Sequence, residues 1–179
     1  MKTGNESHGK LMRQIIMGGQ DGLINVLGIV LGVSTATGDA KLVVISGLAS
    51  MFAESVAMGC VAYNSSKSFH EYCASKKKHS TSMDAFDSPQ REGAVVFAST
   101  MAGSLMPLLP FLLARQYIDA PLLTVMSVAV SLLVMAAAGY ARARLTKNSV
   151  GKSVLEMVGL CTVATVIGFV VGKVLGVVV

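Results

Sequence analysis

Charge is scarce in this chain: only 14% of its 179 residues are Asp, Glu, Lys or Arg, whereas 53% are hydrophobic. That balance excludes an ordinary soluble domain, in which about a quarter of the residues are charged. The charges that exist fall into clusters separated by long uncharged stretches, the distribution a bilayer imposes. Cysteine is also sparse. Cys60, Cys73 and Cys161 make an odd count of 3 without metal-ligand spacing, which excludes a disulfide framework or a zinc motif and leaves buried or free thiols. No repeat or low-complexity tract stands out, so the hydrophobic spans are themselves the domain. The N-terminus lacks the pattern of a cleaved signal peptide. Lys2, Glu6, His8, Lys10 and Arg13 make it polar, and the apolar segment beyond is too long and has no cleavage-like end.

What is present is a set of long apolar runs. A spanning helix needs roughly 20 mostly apolar residues, and five segments qualify, at about 14–38, 42–66, 93–114, 120–141 and 154–178. The expected fold is therefore all-α, a polytopic membrane protein with a polar arm at 1–13, a five-span domain at 14–179 and a short basic connection at 67–92. Ser88-Pro89 and Asp119-Ala120-Pro121 place proline in the first turn of the third and fourth spans, where a helix tolerates it. Ser153-Val-Leu-Glu156 has the spacing of a capping box opening the fifth. The stretch from Lys67 to Lys78 is expected to continue the second helix as a stalk.

Twelve of the 15 basic residues lie on one side of these spans. They are Lys2, Lys10 and Arg13 in the arm, Lys67, Lys76, Lys77, Lys78 and Arg91 in the second connection, and Arg142, Arg144, Lys147 and Lys152 in the fourth. Lys41, Arg115 and Lys173 fall on the other. The bias places the N-terminus in the cytoplasm and the C-terminus outside or in a lumen. The net charge of +5 then reports orientation and contact with anionic lipid in place of nucleic-acid binding. Short connections without a targeting extension fit a prokaryotic plasma membrane better than an organelle.

Two acids interrupt the apolar runs. Asp21 lies roughly 12 Å beyond Arg13 at 1.5 Å per helical residue, inside the first span, and Glu54 lies near the middle of the second. A charge at the centre of a span costs at least about 2.5–3.5 kcal/mol and usually faces a cavity or a partner. The alternatives are a hydrated Asp21 near the interface, or two protonated packing residues. Asp21, Asn25, Gly28 and Gly32 share one helical stripe, and Met51, Glu54 and Met58 share a face of the second helix. A carboxylate with thioether neighbours mixes hard and soft donors, which suits a first-row transition metal better than Mg²⁺ or Ca²⁺. Met51 and Met58 taken alone read more often as core filler than as ligands, and their place beside an intramembrane acid brings the two readings level.

Other features point to packing. Gly18/Gly22, Gly28/Gly32 and Gly168/Gly172/Gly176 are small-xxx-small spacings that allow close helix approach, within a chain or between subunits. Pro107 and Pro110 bend the third span or loosen its end. Glu156 has a local capping role. His70, Glu71, His79, Asp84, Asp87 and Glu92 have no compelling ligand spacing and read as a solvated connection. The 3 histidines lie outside the spans, and no nucleophile–base pair is apparent, so an intramembrane enzyme finds little support.

Arg13-Gln-Ile-Ile-Met-Gly-Gly-Gln-Asp21-Gly-Leu resembles the first span of the vacuolar iron transporter family. So do Ser46-Gly-Leu-Ala-Ser-Met-Phe-Ala-Glu-Ser-Val-Ala-Met58-Gly with Tyr63 and Ser65-Ser66-Lys67, and Gly103-Ser-Leu-Met-Pro-Leu-Leu-Pro110-Phe in the third span. Ala141-Arg-Ala-Arg-Leu-Thr and the Gly168/Gly172/Gly176 segment resemble the last connection and span. The resemblance implies a five-span homodimer with an ion path between subunits lined by the first helices. It also implies export of Fe²⁺ or Mn²⁺ from the cytosol against protons, with no permanently bound cofactor. Asp21 matches the family's first-span acid and Met58 its second-span methionine. Ser50 stands where plant members have a glutamate, with Glu54 one turn further on. The glutamate-rich metal-binding domain that plant and fungal-type members carry between spans two and three is here a short basic connection.

The expected metal-handling set is therefore Asp21, Glu54, Met58, Met51 and Asn25, with the acids exchanging cation for proton as burial raises their affinity for the proton. The expected partners are a divalent metal ion, protons, the lipid bilayer and a second copy of the chain. The alternative is a non-transporting membrane metal sensor or scaffold that keeps the fold.

Overall fold

The computed structural model describes the backbone of residues 2–75 and 88–178, and the side chains of residues 9–75 and 88–176. Lys76, Lys77, Lys78, His79, Asp84 and Asp87, and the side chains of Lys2, Glu6 and His8, lie outside the described residues. The described residues form five helices in the order α1 (Lys2–Thr37), α2 (Ala40–Ser75), α3 (Pro89–Ala114), α4 (Ala120–Thr146) and α5 (Val150–Val178). All five are long and apolar enough to cross a membrane.

The helix ends follow from local chemistry. α1 stops at Gly38, whose φ of +65° is the left-handed conformation that glycine adopts without a Cβ clash. Its N–H bonds the Ser34 carbonyl at 2.9 Å. Asp39 then caps α2, its Oδ1 accepting the Lys41 N–H at 2.7 Å and the Leu42 N–H at 3.4 Å. α2 runs on through Ser75, so the first part of the expected stalk is helical. α3 opens on Pro89, with the Ser88 carbonyl accepting the N–H groups of Arg91 and Glu92. It remains helical through Pro107 and Pro110 to Ala114.

α4 begins after Asp119, which has extended backbone and no side-chain capping bond, and it carries a proline in its first turn. Its C-cap is Lys147, a non-glycine residue at φ 55°. The start of α5 differs from the expected capping box. The helix begins at Val150, and the Ser149 carbonyl accepts the N–H of Ser153 at 3.2 Å. Ser153 is therefore already inside the helix and buried, and Glu156 meets Arg142 at 3.3 Å in place of capping.

The chain divides into two compact units, and α1, α2 and α3 each contribute to both. The first comprises Met1–Gly22 and Phe52–Gly103. Within it α3 is approached by two helices through glycine. A Cβ on Gly103 would run into the backbone of Gly19 on α1, and one on Gly93 would come within 2.9 Å of the Gly59 carbonyl oxygen on α2. Such approaches are held by dispersion and Cα–H···O contacts between backbones, with little interdigitation of side chains.

The second unit comprises Leu23–Met51 and Ser104–Val179. It contains a conventional core in which Leu23, Leu27, Leu108, Phe111, Leu123 and Met135 are almost fully buried. α4 and α5 pack as a hairpin, close enough at Gly139 that a Cβ there would lie 2.9 Å from the Ser153 carbonyl oxygen. α5 also crosses α1, with Gly168 against the backbone of Gly28 and Gly172 against that of Gly32. These glycine spacings thus serve packing inside one chain. The outer side of α5 is apolar and exposed at Leu160, Val163, Val166, Phe169 and Val170, which in water would be untenable and in lipid is the expected state.

Candidate metal site

Asp21, Glu54 and Met58 belong to the first unit. Asp21 sits in α1 between Gly18 and Gly22, both buried, yet its own side chain is exposed. The reason is local. Gly18 lies against Val96, Ser99 and Thr100 of α3, and Gly19 against Gly103, so the helix turns its glycines to its neighbour and leaves the acid uncovered. On α2, Glu54 and Met58 are one turn apart and each is half-buried, while Ser55 and Gly59 are buried. Gly59 lies against the Phe97 Cβ and the Gly93 carbonyl, and this contact fixes the rotation of α2 in the unit.

Asn25 and Met51 belong to the second unit. Met51 is buried at 5% exposure, as a core residue is, whereas Glu54 and Met58 on the same helix are accessible. Asn25 is exposed on the rim of a groove of about 640 Å³ between α1 and α5, lined also by Gly28, Gly32, Ala164, Gly168 and Gly172. A Cβ on Gly28 or Gly32 would meet nothing within 4 Å. The two glycines thus give their backbone to α5 and face open space along their Cβ directions.

Among the described residues no three His, Cys, Asp or Glu side chains come together as a metal-binding group. Among the described residues, a metal site would therefore combine fewer than three such side chains with thioether, amide, hydroxyl or carbonyl donors. In the last turns of α2, Glu71 lies 4.0 Å from Lys67 in an exposed i,i+4 pair, and His70 stands edge-on to Phe69 with ring centres 6.4 Å apart. Glu92 is in the first turn of α3.

Sequence reasoning passed over the buried hydroxyls. In the first unit these include Ser55 and Thr100, the latter bonded to the Val96 carbonyl at 2.8 Å. In the second, Ser127 donates to the Pro107 carbonyl and Ser131 to the Ser127 carbonyl at 2.8 Å. Ser34 and Thr124 share a 2.6 Å bond. The Ser104 hydroxyl is buried without a partner among the described residues. The spacing of Ser127 and Ser131, four apart in an apolar span, was the available signal for an inward-facing polar stripe.

Five helices able to cross a bilayer, with apolar exteriors and an acid within each of the first two, define an integral, multi-pass membrane protein. The model of the VIT family matches residues 12–85 and 75–173. The chain belongs to that family, the vacuolar iron transporter family, and so to a class of membrane metal-ion transporters. Comparison with curated proteins gives no match.

Proposed function

We propose that this VIT-family chain exports Fe²⁺ or Mn²⁺ from the cytoplasm in exchange for protons, working as a homodimer. The observation that carries the proposal is Asp21, a carboxylate inside a membrane-crossing helix that the chain's own packing leaves exposed. An acid in such a place costs at least about 2.5–3.5 kcal/mol by insertion scales, unless a cation, a proton or a partner compensates it. Asp21 binds the cation and takes up a proton when the cation leaves. Glu54 and Met58, one turn apart and both accessible, add a second carboxylate and a soft donor. Asn25 contributes an amide oxygen. Met51, being buried, is the weakest member of the set and serves as a ligand only if α2 turns.

Dimerisation is supported by the open space in front of Gly28 and Gly32, which lets a second helix approach closely. A cytoplasmic N-terminus is supported by the bias of basic residues to one side of the spans.

Metal uptake into proteoliposomes, read with a metal-quenched dye and an internal pH dye, tests the proposal. Wild-type protein is expected to move Fe²⁺ or Mn²⁺ with opposing proton flux. Asp21→Asn and Glu54→Gln are each expected to lower flux by about tenfold or more, equivalent to about 1.4 kcal/mol. Asp21→Asn keeps or raises the melting temperature, because it removes an uncompensated charge. A folded wild-type protein without flux would instead support the sensor or scaffold reading, and wild-type flux in both variants would remove these acids from the path.

A further inference from the structure

The α4–α5 hairpin ends in a cluster of cations that metal transport does not use. Arg142, Arg144, Lys147 and Lys152 fall within the last turns of α4, the connection and the first turn of α5. Gly139 pressed on Ser153 and Val154 fixes the two helices against each other just below. Arg142 is partly neutralised by Glu156 at 3.3 Å, the acid of this corner, so the excess positive charge rests on Arg144, Lys147 and Lys152.

Arg144 is held by a neighbour. Its Nε donates to the Tyr140 hydroxyl at 2.9 Å, and its guanidinium carbon lies 5.3 Å from the centre of the Tyr140 ring. A long exposed side chain is normally free to sample many rotamers, and ordering it on binding costs affinity. Here one aromatic residue both accepts the Nε hydrogen bond and lies within cation–π range of the guanidinium, while the other four N–H donors reside on Nη1 and Nη2, the fork that matches a phosphate. Lys147 occupies the left-handed C-cap of α4, which carries its side chain out of the helix beside the same corner. Leu145, Val150 and Leu155 are exposed next to these cations. The surface is therefore basic at its polar edge and apolar beside it, as at the level of lipid headgroups.

We propose that this corner is a docking site for an anionic phospholipid, with the headgroup phosphate on the Arg144 guanidinium, supported by Lys147 and Lys152, and the acyl chains along Leu145 and Leu155. Charge complementarity selects the occupant. A zwitterionic headgroup brings its own cation to a site that already carries an excess of three, whereas phosphatidylglycerol brings only the anion.

Native mass spectrometry of the full chain in neutral detergent, titrated with phosphatidylglycerol or phosphatidylcholine, tests this. Wild-type protein is expected to retain phosphatidylglycerol in preference. Arg144→Gln is expected to weaken that retention about fivefold, as follows from the loss of one interfacial cation. Tyr140→Phe, which keeps the ring and removes the hydroxyl, is expected to give a smaller loss, and Arg144→Lys an intermediate one. Arg115→Gln, at the opposite end of the spans, leaves retention unchanged. Equal retention by wild type and Arg144→Gln overturns the proposal. So does an equal loss in Arg115→Gln, which would mean unspecific charge attraction. Displacement of the lipid by inorganic phosphate at matching concentration also overturns it, because the site would then read free phosphate and not a membrane headgroup.

Discussion

The two units of this chain are held together by different means. Among the described residues, Val96 is the one buried apolar core side chain in the first unit, whereas the second has Leu23, Leu27, Leu108, Phe111, Leu123, Met135 and others. The first unit instead buries glycine at positions 18, 22, 59, 93 and 103. It also carries both intramembrane acids. In lipid, apolar side chains gain nothing by leaving the solvent, since acyl tails are as apolar as leucine, and packing quality alone distinguishes one arrangement from another. The second unit obtains that packing from interlocked side chains, and the first from backbones brought into direct contact. The difference teaches where chemistry has room. Backbone contact through glycine occupies only one side of a helix, and so Asp21 stays uncovered beside Gly18 and Gly22.

The most severe test of this comparison is truncation of a core side chain. Phe111 is fully buried in the second unit, and Phe111→Ala is expected to cost about 3 kcal/mol, the low end for such changes because only the packing and cavity terms operate in lipid. Val96→Ala in the first unit is expected to cost less, about 1–2 kcal/mol, because it leaves a smaller cavity. Thermal or denaturant unfolding in detergent measures both. Equal losses would show that the first unit relies on its side chains after all.

A smaller effect, with opposite signs in the two units, comes from adding one methyl group to a helical glycine. Alanine is favoured over glycine in a helix interior by about 1 kcal/mol. At Gly159 in the second unit a Cβ meets nothing within 4 Å, so Gly159→Ala is expected to gain up to that amount. At Gly103 the new Cβ meets the backbone of Gly19, which cannot swing aside as a side chain does. Overpacking there costs about 1–3 kcal/mol, and Gly103→Ala is expected to be destabilising on balance. A Gly103→Ala protein as stable as wild type would refute close backbone contact as the basis of the first unit.

Much of this was legible in the sequence, and the rest was not for definite reasons. Five apolar runs gave five helices because span length and charge exclusion are properties of local sequence. The proline at the start of α3 and the Asp119 entry to α4 were equally local. The Ser153/Glu156 spacing misled because a capping box requires its serine at the helix boundary, and Ser149 already supplies the boundary one turn earlier. Helical spacing put Met51, Glu54 and Met58 on one face, but spacing carries no information about what lies opposite. Met51 is buried, whereas the other two are half-buried. The division into two units cuts through α1, α2 and α3, and no pattern along a single helix marks such a boundary. Asp21 was conspicuous in the sequence for the opposite reason, since a charge in an apolar run stands out without any knowledge of its neighbours.

The smallest expected effect concerns Arg142 and Glu156, the one ion pair joining α4 to α5 among the described residues. At 3.3 Å the geometry is favourable, but the two side chains are 37% and 62% exposed, so water and salt screen them, and exposed pairs contribute about 0–1 kcal/mol. The hairpin has other fastenings within its unit, in the contact of Gly139 with Ser153 and in the buried Met135, Met157 and Cys161. Glu156→Gln is therefore expected to change stability by less than about 1 kcal/mol at low salt and by nothing measurable at 1 M salt. It also frees Arg142 of its counter-charge, so the same substitution is expected to strengthen retention of phosphatidylglycerol while stability barely moves. A large loss of stability would instead make the ion pair a principal fastening of the second unit, and the contrast between side-chain packing in one unit and backbone contact in the other would no longer suffice.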